Sequence, residues 1–248
     1  MGTWISHFHV AERLFGALSG LGLAGIDAQV SVIGDVAPDS GRPNHDWTTF
    51  DPPKSVTHFL QPGEDEGRIR DLAFYRGYMR PLDTQTPRFS FMLGYFVHLV
   101  TDNLWMHFIG EDTQAAFNSE FAQDRAATRE RVKDDWYGLD HKYLRDHPSN
   151  VFERYVVAAP NPPSPFAFLP TDALAYRLDD LRESYSAPGE FILDRDYPYL
   201  AEATMDRVVE DRADAIGTLL ARLLTGDVAA DAAVSLRVLT LPSPSVLS

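Results

Sequence analysis

One long apolar segment, residues 89–109, constrains the folding of this chain more than any other part of its sequence. Apolar residues occupy nearly every position, which predicts a helix buried on all sides. His98 and Asp102 interrupt the segment one helical turn apart, so their side chains lie on the same face. Burying a carboxylate is costly unless a positive charge compensates it, and no Lys or Arg occurs between Arg88 and Arg125. Asp102 therefore requires a positive partner.

Two interpretations fit the pair formed by His98 and Asp102. A histidine and a carboxylate at positions i and i+4 can bind one metal ion, and a divalent cation would neutralise the carboxylate. The alternative is a hydrogen bond between the two side chains in the core. Because the chain has no cysteine, any metal must be held by His, Asp, Glu or the main chain.

Composition and charge narrow the class of protein. The 248 residues are 44% hydrophobic, which predicts a folded domain rather than a disordered chain. A formal net charge of −14 argues against a general binder of nucleic acid or anionic membranes, although it allows a local cationic site. The sequence shows neither a signal peptide nor an apolar run of about 20 residues that would span a membrane. We expect a cytoplasmic protein.

Helical periodicity dominates the chain, which predicts an all-α, single-domain fold with long loops between the first helices. The best candidate for a strand is VSVIGDV, residues 30–36. Residues 1–225 are expected to form the domain, and residues 226–248 a poorly ordered tail rich in Ser and Pro. The predicted helices cover residues 4–18, 67–78, 89–109, 115–136, 137–146, 171–185 and 200–224.

Two early loops add candidate ligands. GDVAPDSG contains Asp35 and Asp39, and VTHF contains His58. Loops rich in Gly and Pro, held by a rigid scaffold, often carry binding residues. Each residue also has an ordinary interpretation, Asp39 as a turn residue before Ser40 and His58 as a loop histidine. Taken together with the central helix, they favour a metal site.

The other histidines differ in their geometry. His7 lies on the first predicted helix, and His9 points about 200° away from it, so both cannot face one centre. His107 lies about 180° from His98 on an ideal helix, which makes it a poor ligand partner. The remaining pair is predicted to lie at the surface: His45 and His147.

Four motifs occur in the order seen in the zinc-dependent phospholipase C family, which the chain resembles. They are WISHFHVAERL, GDVAPDSG, VTHF and GYFVHLVTDNLW. The resemblance is strongest to a branch of small, unsecreted bacterial phospholipase C-like hydrolases, and it covers residues 3–220. It implies an all-helical fold distantly related to the fungal zinc nucleases.

The resemblance also implies a set of metal ligands. One metal would be held by Asp39, His58, His98 and Asp102. A second would be held by His7 and by Asp102, whose carboxylate would bridge the two ions and be neutralised from both sides. Two zinc ions are the expected cofactors, although nitrogen and oxygen ligands would also admit manganese or iron.

The chain departs from the family pattern at two places. Secreted members use their mature N-terminal amine as a ligand, and a free amine is not expected here. A third zinc site needs a histidine where this chain has a position near Phe108, and a glutamate where His141 is followed by Arg145. That site should be absent or rebuilt. Possible replacement ligands are Asp35, Asp135, Asp140 and His141, although Asp135 also suits a helix cap.

These observations predict a metal-dependent phosphate ester hydrolase of the phospholipase C type, in which a di-metal centre activates water and Asp39 acts as general base. The expected partner is a small phosphate ester or a phospholipid headgroup. One alternative is a binding or structural protein in which the metal only stabilises the fold. Another is a nuclease, which would need aromatic and basic residues along a groove; nucleic acid is not the expected partner.

Overall fold

The computed structural model describes residues 2–46, 48–61, 68–160, 162, 166–186 and 191–241. Two short antiparallel strands, β1 (Arg42–Pro43) and β2 (Phe50–Asp51), accompany the helices. The helices of the described residues are α1 (Trp4–Leu18), α2 (Ala28–Val36), α3 (Lys54–Thr57), α4 (Asp71–Phe74), α5 (Pro87–Trp105), α6 (Glu111–Ala116), α7 (Asn118–Gln123), α8 (Arg125–Asp146), α9 (Ala173–Tyr185) and α10 (Glu202–Thr225). The all-α prediction is confirmed.

Helix α5 forms the centre of the molecule. Thr86 caps its first turn by accepting a hydrogen bond from the main-chain nitrogen of Phe89 at 3.2 Å, and Pro87 occupies a position where a missing N–H costs nothing. Every residue from Phe89 to Trp105 is buried, as the apolar pattern predicted. The helix continues through a π-helical turn, Met106–Gly110. Around it, a contiguous apolar core extends from Ile5 to Leu223.

Residues 30–36 are helical, so the predicted strand is wrong. Asp27 precedes the segment, and its side chain accepts a hydrogen bond from the main-chain nitrogen of Val30 at 3.0 Å, which caps α2. A short apolar run does not distinguish a buried strand from a buried helix by periodicity alone. Here the cap and the packing against α5 select the helix.

Two glycines allow α2 and α5 to cross in backbone contact. A Cβ atom at Gly34 would lie 2.1 Å from the carbonyl oxygen of Phe91, and Gly94 is equally crowded by α2. Only glycine permits so close an approach. Because Asp35 follows Gly34 and His98 lies one turn after Gly94, the crossing brings these two side chains together.

The region after α5 is divided differently from the prediction. Helices were expected over residues 115–136 and 137–146, but α8 runs without interruption through residue 136. The break lies earlier, at Asp124, whose side chain accepts hydrogen bonds from the main-chain nitrogens of Ala126 and Ala127. A capping aspartate ends one helix and starts the next, whereas nothing in the sequence interrupts the helix at residue 136.

The other predicted helices agree closely with the structure. Helix α1 has the predicted limits, and α9 and α10 begin two residues later than predicted. The predicted helix over residues 67–78 corresponds to α4 followed by a π-helical turn, Tyr75–Met79. None of the helices in the described ranges combines the length and the apolar character that crossing a bilayer requires.

The chain after α10 packs against the domain, contrary to the predicted tail. Val234 and Ser235 are buried, and the main-chain nitrogen and hydroxyl of Ser235 both donate to the buried carboxylate of Asp71. A buried carboxylate needs donors, and this segment provides two of them. The ordered domain therefore extends at least to residue 241, and residues 242–248 lie outside the described residues.

Candidate metal centre

The five side chains that the resemblance implies as ligands converge around Asp102. The Nε2 atom of His58 lies 3.5 Å from Asp39 Oδ1 and 3.5 Å from Asp102 Oδ2. His98 Nε2 lies 3.6 Å from the same Asp102 oxygen, and His7 Nε2 lies 3.2 Å from the other, Oδ1. With Asp35, these residues form what we call the His/Asp cluster. Asp102 Oδ1 faces His7, whereas Asp102 Oδ2 faces His58 and His98.

Secondary structure brings the cluster together from four places in the chain. His7 lies on α1, His98 and Asp102 on α5, and Asp39 at the end of a 3-10 turn that follows α2. His58 follows α3 directly. Because the scaffold around each position is helical or tightly turned, the spacing of the side chains is built into the fold.

The loop that carries His58 is fixed by α5. The hydroxyl of Tyr95 donates a hydrogen bond to the carbonyl oxygen of Thr57 at 2.5 Å. The hydroxyl of Thr57 lies 3.0 Å from His58 Nδ1 and also donates to the carbonyl oxygen of Lys54. If that hydroxyl accepts the Nδ1 proton, the lone pair of Nε2 is directed into the cluster.

Within the described residues, many buried polar atoms of the cluster have no hydrogen-bond partner. They are His7 Nδ1, both carboxylate oxygens of Asp35, His58 Nε2, both ring nitrogens of His98, and Asp102 Oδ2. Folded proteins leave few such atoms unpaired. The separations of 3.5–3.6 Å exceed a good hydrogen bond. They are close to the separation of about 3.3 Å expected for ligands on one tetrahedral zinc ion.

Asp35 lies on the opposite side of two of the imidazole rings. Its Oδ1 atom is 3.8 Å from His7 Nδ1 and 3.6 Å from His98 Nδ1, whereas the Nε2 atoms of both rings face Asp102. The rings of His7 and His98 stack with their centroids 4.2 Å apart. Carboxylates commonly hold the far nitrogen of metal-binding histidines in this way.

Two groups of side chains in the described residues have the spacing of metal ligands: His7, Asp35 and His98, and Asp39, His58 and His98. Asp102 adds an oxygen beside the second group. The cluster could therefore hold a metal ion, and the Nε2 side offers more carboxylate oxygens than the Nδ1 side.

Electrostatics favour the metal-binding forms of Asp39, Asp102 and His7, whereas the carboxylates around His98 outweigh its burial and raise its pKa. Burial opposes ionisation of Asp102, but nearby positive charge, together with the imidazoles of His58 and His7, outweighs it and holds the pKa of the carboxyl well below its usual range. Burial also works against ionisation of Asp39, yet the ammonium of Lys54, 2.7 Å from Oδ1, lowers its pKa. Burial and the neighbouring His98 lower the pKa of His7. Ionised carboxylates and a neutral imidazole are the forms that bind metal.

An arginine distant in sequence also contributes positive charge near Asp102. Arg212 on α10 is completely buried, and its guanidinium lies 5.0 Å from the ring centroid of Trp105. Its two terminal nitrogens have no hydrogen-bond partner in the described residues. Burial lowers the pKa of Arg212 to about 9, and the charge of Asp102 opposes this effect. Sequence analysis missed it, although Arg212 falls on the apolar face of α10, four residues from Val208 and from Ile216.

The main chain before α1 also enters the site. The backbone nitrogen of Gly2 donates a hydrogen bond to Asp102 Oδ1 at 3.0 Å. A Cβ atom at Gly2 would lie 3.0 Å from the Trp105 ring and 3.2 Å from His7 Nε2. The small residue lets the backbone approach the cluster, and sequence analysis assigned no role to this nitrogen.

Asp135 and His141, proposed as replacement ligands, have other partners in the structure. Asp135 accepts hydrogen bonds from Arg195 Nη1 at 2.6 Å and from the main-chain nitrogen of Tyr199 at 2.7 Å. The ring of His141 stacks on Phe191 with a centroid distance of 4.9 Å. Neither belongs to the ligand groups found in the described residues, and their positions are explained by packing.

Asp140 stabilises the start of α1, the helix that carries His7. It accepts hydrogen bonds from the hydroxyls of Thr3 at 2.6 Å and Tyr185 at 2.7 Å, and also from the main chain of Ile5. Burial raises the pKa of Asp140 to about 7. This carboxyl group anchors the first turn of α1, which carries His7, and it lies outside both potential ligand groups.

A cavity of about 360 Å³ opens beside the cluster. Asp39 lines it and is 16% exposed, whereas His58, His98 and Asp102 are no more than 1% exposed. Larger hollows of about 420, 470 and 520 Å³ lie elsewhere, but no candidate ligand lines them. The cations of the cavity are Lys54, Lys133 and Arg177, and its aromatic residues are Trp4, Phe50, Trp136 and Tyr137.

Comparison of the chain with known proteins gave no match to a family model, to a curated protein or to a solved structure.

Proposed function

We propose that the chain is a metal-dependent hydrolase of phosphate esters, of the zinc-dependent phospholipase C type. The observation that carries the proposal is the convergence of buried imidazole nitrogens and carboxylate oxygens that lack hydrogen-bond partners within the described residues and lie 3.5–3.6 Å apart. A cation shared among His58 Nε2, His98 Nε2 and Asp102 Oδ2 would satisfy these three atoms at once. The order of the sequence motifs independently supports the same family.

The residues fit zinc better than other divalent ions. Magnesium and calcium prefer sites built from oxygen ligands, whereas this cluster combines three imidazoles with carboxylates. Asp39, His58, His98 and Asp102 would hold one ion, and His7 with Asp102 a second. A divalent ion held here supplies Lewis acidity toward a phosphoryl oxygen and lowers the pKa of water toward neutrality.

Asp39 is the residue best placed to handle a proton. It belongs to the cluster through Oδ1, yet it is the cluster member that lines the cavity. Lys54 and the other neighbours keep its carboxyl ionised. Because Asp39 is ionised and open to the cavity, it would be placed to receive the proton of a water molecule that enters there, although its lowered pKa makes it a weak base. Lys54 would lie beside the negative charge on the substrate.

The partial exposure of Asp39 supports this proposal over a purely structural metal site. Structural zinc sites are closed, while catalytic sites keep one position open to water or substrate. A closed cluster would bury all of its members, but Asp39 opens to the cavity. A nuclease would be supported by the mixture of basic and aromatic residues. The cavity volume, however, suits a small ligand better than a polynucleotide strand.

The test combines metal analysis with hydrolysis of two substrates. The purified protein should contain about two zinc ions per chain and should hydrolyse bis-p-nitrophenyl phosphate, p-nitrophenyl phosphate or both. The double variant His98→Ala/Asp102→Ala should lose both properties. The control is His45→Ala, because His45 is exposed and lies outside the ligand groups found in the described residues.

Each result has a separate meaning. Metal without turnover on any phosphate ester would support the structural alternative. Cleavage of single-stranded oligonucleotides with no cleavage of small esters would support the nuclease. Metal retained by the double variant would overturn the proposed centre altogether.

A further inference from the structure

Basic side chains outnumber carboxylates among the described residues that line the cavity beside the cluster, and each of these basic side chains also has a carboxylate partner. Three cations line it, Lys54, Lys133 and Arg177, whereas Asp39 is the single carboxylate among its described lining residues. Asp39 would itself be neutralised by the metal centre. We infer that the substrate carries a second anionic group, a carboxylate or another phosphate, in addition to the phosphoryl group that is cleaved. This inference rests on the proposed function and specifies its substrate class.

The predominance of basic residues in the cavity lining contrasts with the negative net charge of the chain. The chain has a formal net charge of −14, with 36 acidic and 22 basic side chains. In such a protein, a concave site with more cations than carboxylates is an exception that needs a cause. Concave sites walled by low-dielectric surface focus the electric field, so these cations would attract an anion strongly.

Arg177 is held in place by hydrogen bonds. Its Nε atom donates to the carbonyl oxygen of Asp39 at 2.9 Å, and its Nη1 atom donates to Asp180 Oδ2 at 2.6 Å. The side chain is only 7% exposed. A guanidinium held in this way presents a directed positive charge at the edge of the metal site, and the planar guanidinium group is well suited to carboxylates and phosphates.

Lys133 of α8 contributes a further positive charge to the cavity lining. It extends from α8 and lies 3.7 Å from Glu130 in a pair whose side chains are 42% and 74% exposed. Exposed pairs of this kind are weak. An anionic ligand in the cavity would therefore compete effectively with Glu130 for the ammonium of Lys133.

The same lining disfavours a cationic headgroup. Aromatic rings can bind a quaternary ammonium group through its positive charge, and Phe50 is one such ring in the cavity. The ammonium of Lys54 already lies over Phe50, 5.6 Å from the ring centroid. A choline-like group would meet this ammonium as well as Lys133 and Arg177. The aromatic walls are then left to contact the carbon skeleton of a small anionic substrate.

Binding of two matched compounds tests the inference directly. Phosphoglycolate and phosphoethanolamine share a phosphate and a two-carbon chain, but one ends in a carboxylate and the other in an ammonium group. Isothermal titration of the purified, metal-containing protein should show phosphoglycolate binding about tenfold or more tightly. Equal affinities, tighter binding of phosphoethanolamine, or binding of neither compound would overturn the inference.

Substitution of Lys133 tests whether its charge causes the preference for phosphoglycolate. Lys133→Gln should reduce the preference for phosphoglycolate several-fold and should leave metal content and the thermal midpoint unchanged. Its matched control is Lys142→Gln on the same helix, because Lys142 pairs with Glu202 and does not line the cavity. A preference that is identical in Lys133→Gln and in the wild-type protein would contradict the assignment.

The failure of this inference can be told apart from the failure of the proposed function. A protein that contains zinc and hydrolyses simple phosphate esters, yet lacks the preference for phosphoglycolate, retains the function and loses the inference. A protein that shows the preference but hydrolyses no ester loses the function, while the anion-binding cavity stands.

Discussion

Gly94 of α5 lies directly against Ser31 of α2, so closely that a Cβ atom at Gly94 would stand 1.7 Å from the Ser31 carbonyl oxygen. This contact sets the distance between the two helices that carry Asp35 and His98. The geometry of the candidate metal centre therefore depends on a glycine that is not itself a ligand.

Gly94→Ala should destabilise the fold and weaken metal binding together. The added methyl group meets backbone rather than a flexible side chain, so α2 must move away, at a cost of about 3 kcal/mol, the upper end of the usual range for overpacking. Denaturant unfolding and zinc affinity should both report the change. Gly77→Ala is the control, because a Cβ atom there meets nothing within 4 Å. It should leave stability equal or slightly higher. A Gly94→Ala protein of wild-type stability would contradict the crossing.

Asp35→Asn should lower zinc affinity without unfolding the protein. Asp35 Oδ1 faces the Nδ1 atoms of His7 and His98, and an amide in its place carries no charge and is a weaker acceptor toward both rings. Loss of such an orienting carboxylate typically costs about 10- to 100-fold in metal affinity. Chelator competition measures the affinity. Asp27→Asn, an exposed cap of the same helix, should have no effect. A loss as complete as that of His98→Ala would make Asp35 a direct ligand.

Asp140 should make stability fall as the pH rises from about 4 to about 7. Its pKa is raised to about 7 in the folded protein, whereas an unfolded aspartyl carboxyl titrates near 3.8. The folded state therefore holds the proton more tightly, and its contribution is fully present below pH 4 and lost through pH 7. Asp140 should therefore contribute about 4 kcal/mol more to the free energy of unfolding below pH 4 than above pH 7.

The variant Asp140→Asn isolates this effect. Its amide can still accept from Thr3 and can donate to the Tyr185 oxygen, so the anchor of α1 should persist. Urea unfolding at several pH values should show a flatter profile for Asp140→Asn than for the wild-type protein between pH 4 and 7. Parallel profiles would mean that Asp140 is ionised throughout this range in the folded protein.

The effect of Arg212→Met on the stability of the protein should change sign when the metal is removed. In the zinc-loaded protein, zinc would offset Asp102. Replacing a buried guanidinium whose two terminal nitrogens have no hydrogen-bond partner in the described residues by an apolar side chain should then be neutral or stabilising. After metal removal, Arg212 is a nearby source of positive charge, and its loss should cost on the order of 1–2 kcal/mol. Thermal unfolding with and without chelator tests this. Arg207→Met, an exposed change on the same helix, should behave identically in both states. Equal shifts for Arg212→Met in both states would contradict the coupling.

Periodicity was sufficient to predict α1 and the buried central helix α5, but not the limits of α8. The pattern over residues 4–18 predicted α1 with its observed limits, and the apolar run over residues 89–109 predicted the buried helix α5. Such patterns are local, because the period of a helix determines which side chains share a face. The pattern over residues 30–36 was ambiguous, and only packing against α5 selected a helix there.

Sequence alone identified the candidate metal ligands, together with Asp135, Asp140 and His141, which lie outside the ligand groups of the described residues. The pair formed by His98 and Asp102, the loops with Asp39 and His58, and His7 on the first helix were all identifiable from spacing, residue type and motif order. Their chemistry follows from side-chain identity, which needs no coordinates.

Tertiary structure alone decided how these residues meet and what surrounds them. It turned Asp35 toward the far nitrogens of two imidazoles, brought Arg212 from α10 to the ring of Trp105, and gathered Lys133 and Arg177 around one cavity. These contacts join residues that are far apart along the chain. They depend on how closely helices pack, and side-chain period within one helix carries no information about its neighbours.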